Sequence, residues 1–295
     1  MRRTRLTMVA GILAVGALAL GACSGDTTEE ETTDDGGSAS ETEDGGDTGG
    51  GTDGITIGIK FDQPGLGFQE GDTYTGFDVD VATYVAEYLG YSADQITWVE
   101  AQSANRETML ENEQVDMIFA TYSITDERDE VVDFAGPYFV AGQDLLIRSD
   151  DAGTITGPES LNGLNLCSVS GSTSAQRVKD DHAENTQLVE VGGYSECINY
   201  LIQGQVDAVT TDDIILAGLA AAEGSGSMQV VGAPFSEENY GVGLPPGSDM
   251  CEGVNEAITA MIDDGSWEAA VTANTEGTGY TPNADLNPPT LRECS

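Results

Sequence analysis

The chain has 295 residues, and its 52 aspartates and glutamates far outnumber its 10 lysines and arginines, for a net charge of −42 at pH 7. This balance excludes a nucleic-acid-binding protein, because phosphate contacts need clustered basic side chains. With a single histidine, His182, and no Cys-x-x-Cys sequence, we expect no metal site and no cofactor. Any site for an anion must be built locally from a few of the scarce basic residues.

The first 22 residues have the pattern of a bacterial export signal. Three arginines precede a short apolar run at 8–20, and small residues at 21 and 22 come directly before Cys23. The run is too short to cross a membrane comfortably, and a cysteine in this position resembles a lipobox. We expect cleavage before Cys23 and lipidation of its thiol, which anchors the mature protein on the outer face of the cell membrane. The alternative is an ordinary signal peptide.

Residues 23–54 form the next segment, in which Gly, Ser, Thr, Asp and Glu dominate. With almost no apolar side chains, the segment cannot bury enough surface to offset the entropy lost on ordering it. We expect a disordered acidic linker between the lipid anchor and the folded part of the chain.

Strand and helix patterns alternate from residue 55 to residue 119. Residues 55–59 alternate as a strand, and residues 76–90 place an apolar side chain at every fourth position before ending at a glycine. Two further strands, at 96–99 and 115–119, flank a helix at 106–114. The order β-α-β-α-β predicts a mostly parallel sheet with right-handed crossovers.

A weaker copy of this pattern follows, with a strand at 164–169, a helix after it, and a segment at 201–210 that resembles 110–119. We therefore predict two similar α/β lobes. The first lobe would contain residues 55–147 and, after the chain returns, residues 241–280. The second lobe would contain residues 148–240, and residues 281–295 would form a proline-containing tail.

Polar residues follow the predicted strands at the edge where sheets of this kind bind ligands. Thr121 and Ser123 lie between a buried strand and Arg128, so two hydroxyls and a fork-shaped guanidinium group could hold a carboxylate. The alternative is that Arg128 pairs with its acidic neighbours Asp129 or Asp133.

The second lobe has two polar segments that likewise lie at the ends of predicted strands. Ser172 and Thr173 precede a helix, whose free N–H groups favour an anion, although N-capping explains the same residues. Asp212 follows a buried strand and could accept an ammonium group from a ligand, while it or Asp213 could also cap the next helix.

Two further basic residues are candidates for a second carboxylate on a ligand. Lys60 directly follows the first strand, and Arg106 begins the second helix. For each residue, exposure at the surface is the alternative interpretation.

Four cysteines remain after Cys23, an even number that is typical of disulfides in an exported protein. Four cysteines allow three pairings. We favour the pairs that are nearest in sequence, Cys167–Cys197 and Cys251–Cys294.

Three segments resemble hallmark sequences of the family 3 extracellular solute-binding proteins, the polar-amino-acid receptors of ABC importers. They are 76–82 (GFDVDVA), 123–128 (SITDER) and 132–138 (VDFAGPY), in the expected order and spacing, and the resemblance covers about 55–275. Further segments, at 60–67, 120–124 and 166–173, are similar to the glutamate-binding lipoproteins of actinobacteria. Those proteins also have cysteines that match Cys167 and Cys197.

The resemblance implies an α/β, two-lobed periplasmic-binding-protein fold of type II, with mixed, mostly parallel sheets and a hinge between the lobes. It implies that Arg128, Ser123 and Thr173 hold the α-carboxylate of an amino acid. Thr121 would contribute its backbone or hydroxyl, and Asp212 would hold the α-ammonium group.

The function implied is that of a monomeric receptor, not an enzyme, that binds L-glutamate and delivers it to an ABC permease. A receptor for aspartate, glutamine or another polar amino acid is the alternative in the same class. A cyclohexadienyl dehydratase-like enzyme is the alternative in another class. It needs a general acid or base over the substrate, and the sequence offers no such group beyond Asp212 and Asp213. The loop at 63–67 lacks the aromatic ring that many family members place there, which leaves room for a compact acidic side chain.

Overall fold

A computed structural model of the protein describes residues 54–294. The predicted signal peptide, the lipidation site at Cys23 and all but the last residue of the predicted linker lie outside the described residues. Within 54–294, no helix is long and apolar enough to cross a membrane.

The described chain alternates between strands and helices along most of its length. In chain order the elements are β1 (Ile55–Ile59), β2 (Phe68–Glu70), β3 (Thr73–Thr75), α1 (Phe77–Tyr88), β4 (Ile96–Glu100), α2 (Arg106–Glu111), β5 (Met117–Phe119), α3 (Asp126–Asp129), β6 (Asp133–Ala141), β7 (Gln143–Arg148), β8 (Asn165–Val169), α4 (Ser174–Asp181), β9 (Gln187–Val191), α5 (Tyr194–Ile202), β10 (Ala208–Asp212), α6 (Asp213–Glu223), β11 (Met228–Val230), β12 (Glu238–Leu244), α7 (Cys251–Asp263) and α8 (Ser266–Thr275).

Two five-stranded sheets form the cores of the two lobes. The first sheet has the strand order β4-β1-β5-β12-β6, and the second has the order β11-β7-β10-β8-β9. In the first sheet, β1 pairs in parallel with β4 and β5, whereas β12 pairs antiparallel with β5 and β6. In the second, β8 pairs in parallel with β9 and β10, whereas β7 pairs antiparallel with β10 and β11. The predicted mixed α/β fold is confirmed, but parallel pairs do not predominate.

The strands that carry the chain between the lobes supply the antiparallel pairs. β6 ends in the first sheet and β7 begins in the second, so the first crossing occurs at Gly142. The return crossing is the segment 231–237, because β11 belongs to the second sheet and β12 to the first. The crossings therefore lie before the boundaries that the apolar pattern predicts, after 147 and after 240. An apolar run identifies a buried strand but does not tell which sheet the strand joins.

Helix α1 shows why the sequence folds in this way locally. Its apolar stripe, with Phe77, Val81 and Val85 fully buried, packs against α7 and α8. Phe77 meets Trp267 of α8 edge to face, with ring centroids 6.0 Å apart. Each such side chain contributes roughly 1.5–3 kcal/mol through burial. Gly76 precedes the helix with φ of 120°, and a Cβ there would lie 1.9 Å from the carbonyl oxygen of Leu66, so the position requires glycine.

Both favoured disulfides are present. Cys167 of β8 is bonded to Cys197 of α5, inside the second lobe. Cys251 of α7 is bonded to Cys294, which fixes the tail to the first lobe. The hairpin of β2 and β3, the strands β6, β9 and β11, and the short helix α3 are elements that the sequence patterns did not predict.

Candidate ligand-binding site

A polar cavity lies between the two lobes, at the strand ends where the sequence predicted a site. Its lining residues bound about 300 Å³ of space between atoms, part of which is open to solvent. They are Gln63, Ser103, Arg106, Thr121, Ser123, Arg128, Ser172, Thr173, Ser174, Tyr194, Thr211, Asp212 and Ile215. All of these side chains except that of Ile215 carry a polar atom. The cavity thus brings together every predicted site residue except Lys60.

Arg128 lies on the short helix α3 and is fixed by contacts in three directions. Its Nη1 donates to the carbonyl oxygen of Ser123 at 2.7 Å, and its Nη2 donates across the cavity to the carbonyl of Gly171 at 3.2 Å. Its Nε pairs with Glu107 at 3.1 Å. These bonds hold the guanidinium group against the cavity wall, where it can meet an anion.

The alternative partners for Arg128 are engaged elsewhere. Asp129 pairs with Arg292, with Arg292 Nη1 at 2.9 Å and 2.8 Å from its two oxygens. Asp133 accepts backbone N–H groups from Gly247 and Ser248 at 2.8 Å and 3.2 Å. Neither carboxylate competes with a ligand for Arg128.

Arg106 is a second buried cation in the same wall. Its Nη1 donates to the carbonyl of Ala120 at 3.0 Å, and its Nε has no hydrogen-bond partner within the described part of the chain. The guanidinium carbons of Arg106 and Arg128 lie 4.1 Å and 4.9 Å from the ring centroid of Tyr122, a cation–π arrangement that stabilises two neighbouring cations. Burial, followed by the charge of Arg128, lowers the pKa of Arg106 to about 10, so the group stays charged at neutral pH.

Lys60 lies behind the cavity wall. The residue is 3% exposed, and its ammonium group donates to the hydroxyl of Ser103 at 2.8 Å. No acidic oxygen lies within 4.0 Å of it among residues 54–294. Burial, followed by the nearby charge of Arg106, lowers the pKa of Lys60 to about 7. Lys60 can therefore act on a ligand only through Ser103, which does line the cavity.

Thr121 has a strained backbone that a buried carboxylate holds in place. Its φ of 45° is left-handed, which a β-branched residue rarely adopts. Its N–H donates to Asp78 Oδ2 at 3.1 Å, and Asp78 Oδ1 accepts from the hydroxyl of Tyr138 at 2.8 Å. The hydroxyl of Thr121 contacts Gln63 Oε1 at 3.3 Å. This supporting role of Asp78 was missed by sequence reasoning.

The polar segment at 172–173, directly before α4, faces the cavity from the second lobe. Ser172 Oγ lies 3.1 Å from Ser168 Oγ, and Ser168 donates to the carbonyl of Thr210 at 2.9 Å. Thr173 precedes α4 but makes no capping hydrogen bond through its side chain. N-capping is therefore not what occupies the Thr173 hydroxyl.

Asp212 is the last residue of β10 and makes no capping hydrogen bond to α6. It is 4% exposed, and its Oδ2 accepts from the hydroxyl of Tyr240 at 2.6 Å. Burial, followed by the charge of Glu238, raises the pKa of Asp212 well above its usual value. A cationic group from a ligand would offset both effects. Asp213 instead faces the first crossing, where its Oδ1 accepts from the N–H of Gly142 at 3.3 Å.

Six lining residues are not among the predicted site residues. They are Gln63, Ser103, Ser174, Tyr194, Thr211 and Ile215, and the hydroxyl of Tyr194 donates to Thr211 Oγ1 at 2.7 Å. Thr211 could have been found as the neighbour of Asp212. Nothing in the local sequence distinguishes Tyr194, because its place at the cavity depends on how α5 packs.

Residues 55–273 match the profile of the bacterial extracellular solute-binding proteins, family 3. The chain belongs to this family. It is 45% identical over 231 residues to the glutamate-binding protein GluB of Corynebacterium glutamicum, covering 75% of this chain and 78% of that protein. It is 34% identical over 220 residues to the ABC transporter glutamine-binding protein GlnH of Bacillus subtilis, covering 73% and 79%.

A solved structure of an ancestral arginine-binding protein bound to arginine matches with a TM-score of 0.69 and 28% identity. The match covers 76% of this chain and 98% of that one. These comparisons confirm the predicted family and its two-lobed fold. Members of family 3 are extracellular proteins, which agrees with disulfides in both lobes.

Proposed function

We propose that this chain binds L-glutamate between its lobes and delivers it to the permease of an ABC importer. The observation that carries the proposal is the set of charges at the cavity. Arg106 and Arg128 line it from the first lobe, and Asp212 lines it from the second. Two cations and one anion complement a ligand with two carboxylates and one ammonium group. The relationship to GluB supports the same ligand.

The amino-acid end of the ligand would lie between Arg128 and Asp212. Arg128 would hold the α-carboxylate, with help from Ser123, Thr121 and the hydroxyls of Ser172 and Thr173. Asp212 would accept the α-ammonium group. Charge-assisted hydrogen bonds of this kind are roughly twice as strong as neutral ones.

The side chain of the ligand would extend toward Arg106. Ser103 is placed to donate its hydroxyl hydrogen there, since its oxygen already accepts from Lys60 at 2.8 Å. Gln63 supplies an amide from the neighbouring loop. A neutral side chain such as that of glutamine would leave this buried positive charge uncompensated, so we expect glutamine to bind more weakly. Aspartate would reach Arg106 less well because it is one methylene shorter.

The setting of the receptor is part of the proposal. The pattern of an export signal at 1–22 and the cysteine at 23 support lipid anchoring on the outer face of the membrane, and we propose that the receptor acts as a monomer. We infer that the chain is not an enzyme. Asp212 and Tyr194 are the candidates for an acid or base among the residues that line the cavity, and both are engaged in hydrogen bonds. Turnover of prephenate or arogenate by the purified chain would contradict this inference.

Titration calorimetry on the full chain tests the ligand assignment. We expect tight binding of L-glutamate and at least about tenfold weaker binding of L-glutamine and L-aspartate, from roughly 1.4 kcal/mol or more of discrimination. Arg106→Gln should remove the preference of the chain for glutamate over glutamine. Equal affinities in the wild type would indicate a broader polar-amino-acid receptor, and no heat with any of the three would overturn the proposal.

A further inference from the structure

The loop after β1 belongs to the first lobe but touches the second lobe at two residues, Asp62 and Pro64. The loop is folded on itself, because Gln63 N–H donates to the carbonyl of Gly67 and Leu66 N–H donates to the carbonyl of Gln63, both at 3.0 Å. Asp62 also forms a backbone bridge with Phe68. This compact loop can therefore act as one rigid piece.

The first contact is made by the carboxylate of Asp62. Its Oδ2 accepts the backbone N–H of Tyr194, the first residue of the nine-residue helix α5, at 2.7 Å. The first N–H groups of a helix lack partners inside the helix and carry its positive dipole end, so a carboxylate is favoured there. Tyr194 is also a cavity-lining residue, so the contact fixes part of the cavity wall.

A glycine makes room for this carboxylate. A Cβ on Gly193 would lie 2.6 Å from Asp62 Oδ2, closer than real contacts allow. The φ of Gly193 is −149°, an extended value that any residue adopts. The space needed by Asp62, and not the backbone conformation, is what excludes a side chain at this position. Gly192, one residue earlier, has nothing within 4 Å of such a Cβ.

Pro64 makes the second contact, and Gln63 lies between the two contacting residues. Gln63 lines the cavity, and the carbonyl oxygen of Pro64 would lie 2.2 Å from a Cβ on Gly218 of α6. Glycine inside a helix costs about 0.5–1 kcal/mol relative to alanine, so Gly218 needs a compensating role. The approach of Pro64 supplies one, because any side chain at 218 would push the loop away.

We propose that Asp62, Gln63 and Pro64 form a closure clasp, in which the bond from Asp62 to the start of α5 holds the lobes together over the ligand. Asp62 is then a positioning residue: it does not touch the ligand but sets how fast the ligand leaves. The prediction about release rests on the proposed function. The contact between the lobes does not, and it can be measured without any ligand.

Stopped-flow measurement of L-glutamate dissociation from the full chain tests the clasp. We expect Asp62→Ala to release glutamate about tenfold faster, the effect of losing one charge-assisted hydrogen bond, while the association rate changes little. Asp62→Asn keeps an oxygen acceptor and should show an intermediate rate. Gly193→Ala should also accelerate release, because its methyl group collides with the carboxylate, whereas Gly192→Ala should match the wild type.

The double variant Asp62→Ala/Gly193→Ala separates a clasp from a merely structural role. Once the carboxylate is gone, the added methyl group has nothing to displace, so the double variant should release glutamate no faster than Asp62→Ala alone. Additive effects would show that the two residues act independently and would overturn the proposal. Unchanged release in Asp62→Ala would overturn it as well.

Hydrogen exchange on the ligand-free chain distinguishes failure of the clasp from failure of the proposed function. The Tyr194 amide should exchange more slowly in the wild type and in Gly192→Ala than in Asp62→Ala. If the wild type does not bind glutamate but shows this protection, the clasp stands and the ligand assignment fails. Equal exchange in all three proteins would remove the clasp whatever the ligand.

Discussion

The two walls of the cavity carry opposite charges and satisfy them in different ways. The wall from the first lobe presents Arg106 and Arg128, which donate hydrogen bonds to carbonyl oxygens and make cation–π contacts with the ring of Tyr122. The wall from the second lobe presents Asp212, which accepts a hydrogen bond from the hydroxyl of Tyr240 but contacts no cation within 4.0 Å among the described residues. In the first wall only Arg128 has an acidic partner, Glu107 at 3.1 Å, so Arg106 and Asp212 are left without an ion pair among the described residues.

This difference teaches how one small ligand can be recognised by both lobes at once. Burial raises the pKa of Asp212 and lowers the pKa of Lys60, so in the absence of a ligand each charged form is disfavoured. A zwitterion with an extra carboxylate supplies the missing partner to both walls. Binding and contact between the lobes should therefore reinforce each other, and a saturating ligand should stabilise the fold.

Removing the main cation of the first wall should have the largest effect. We expect Arg128→Ala to weaken glutamate binding at least 100-fold, since loss of one member of a buried charge pair costs about 2–5 kcal/mol. Titration calorimetry measures the loss, with Lys179→Ala as the control for removing a cation from the second lobe away from the cavity. An affinity within tenfold of the wild type would show that the α-carboxylate is held elsewhere.

Removing the anion of the second wall should have the next largest effect. We expect Asp212→Asn to weaken glutamate binding about 30-fold but to change the binding of glutarate, which lacks the ammonium group, much less. Parallel titrations with both ligands measure this difference. An equal loss for glutarate would mean that Asp212 shapes the cavity and does not pair with an ammonium group.

The same substitution has a defined pH dependence in the ligand-free chain. Because the native pKa of Asp212 is raised above its usual 3.8, the native state binds more protons than the unfolded state, and stability falls as pH rises above about 4. Asp212→Asn should make this decline shallower, and part of it should remain because burial also raises the pKa values of Asp78 and Asp213 to about 6. Urea unfolding between pH 4 and pH 8, compared with the wild type, measures it.

Substitution of Lys60 tests whether this buried cation contributes to ligand recognition through Ser103. We expect Lys60→Met to weaken glutamate binding about tenfold and to leave glutamine binding nearly unchanged, because only glutamate carries a second negative charge. Titration calorimetry with both ligands measures this change, with Lys179→Met as the control. Equal weakening for glutamine would assign Lys60 to packing alone.

The stability of this variant without ligand should move in the opposite direction. The native pKa of Lys60 falls from 10.5 to about 7, so between these values the unfolded state binds more protons. Wild-type stability therefore rises with pH across that window, and the buried charge destabilises the native state most below about pH 7. At pH 6, Lys60→Met should raise the free energy of unfolding by roughly 1–3 kcal/mol, and the gain should shrink near pH 10.

How much of this site the sequence predicts depends on whether a residue acts through its own strand or through another lobe. Thr121 and Arg128 lie within ten residues after β5, and Asp212 is the last residue of β10, so local patterns were enough to place them at the ligand edge. Tyr194 and Asp62 reach the site only because α5 and the loop after β1 meet across the cleft. Packing between the lobes determines such contacts, and the hydrophobic periodicity of a single segment does not reveal that packing.

The prediction of the fold also succeeded for local features and failed for features that depend on packing between distant segments. The alternation of strands and helices was predicted to within a few residues, as for α1, because apolar spacing is a local property. The crossings were displaced, because β7 and the start of β12 are buried equally well in either sheet. The loop at 63–67 was noted for a missing aromatic ring, whereas the structure places Gln63 in the cavity and Pro64 against the second lobe.

Of the changes considered, removal of a disulfide should have the smallest effect on ligand binding, and the effect should differ between the two bonds. Cys167–Cys197 joins β8 to α5, the two elements that carry Ser172 and Tyr194 to the cavity, whereas Cys251–Cys294 fixes the tail to α7. Their separations of 30 and 43 residues predict similar losses of unfolding free energy, roughly 3–4 kcal/mol each, on removal.

Glutamate binding should nevertheless distinguish the two bonds. We expect the double alanine variant at 167 and 197 to weaken binding about threefold, because α5 would gain freedom beside the ligand. The double variant at 251 and 294 should stay within about twofold of the wild type. Calorimetry at a temperature where both variants remain folded measures the two affinities. A larger loss from the second variant would mean that the tail, and not the wall of the second lobe, controls the cavity.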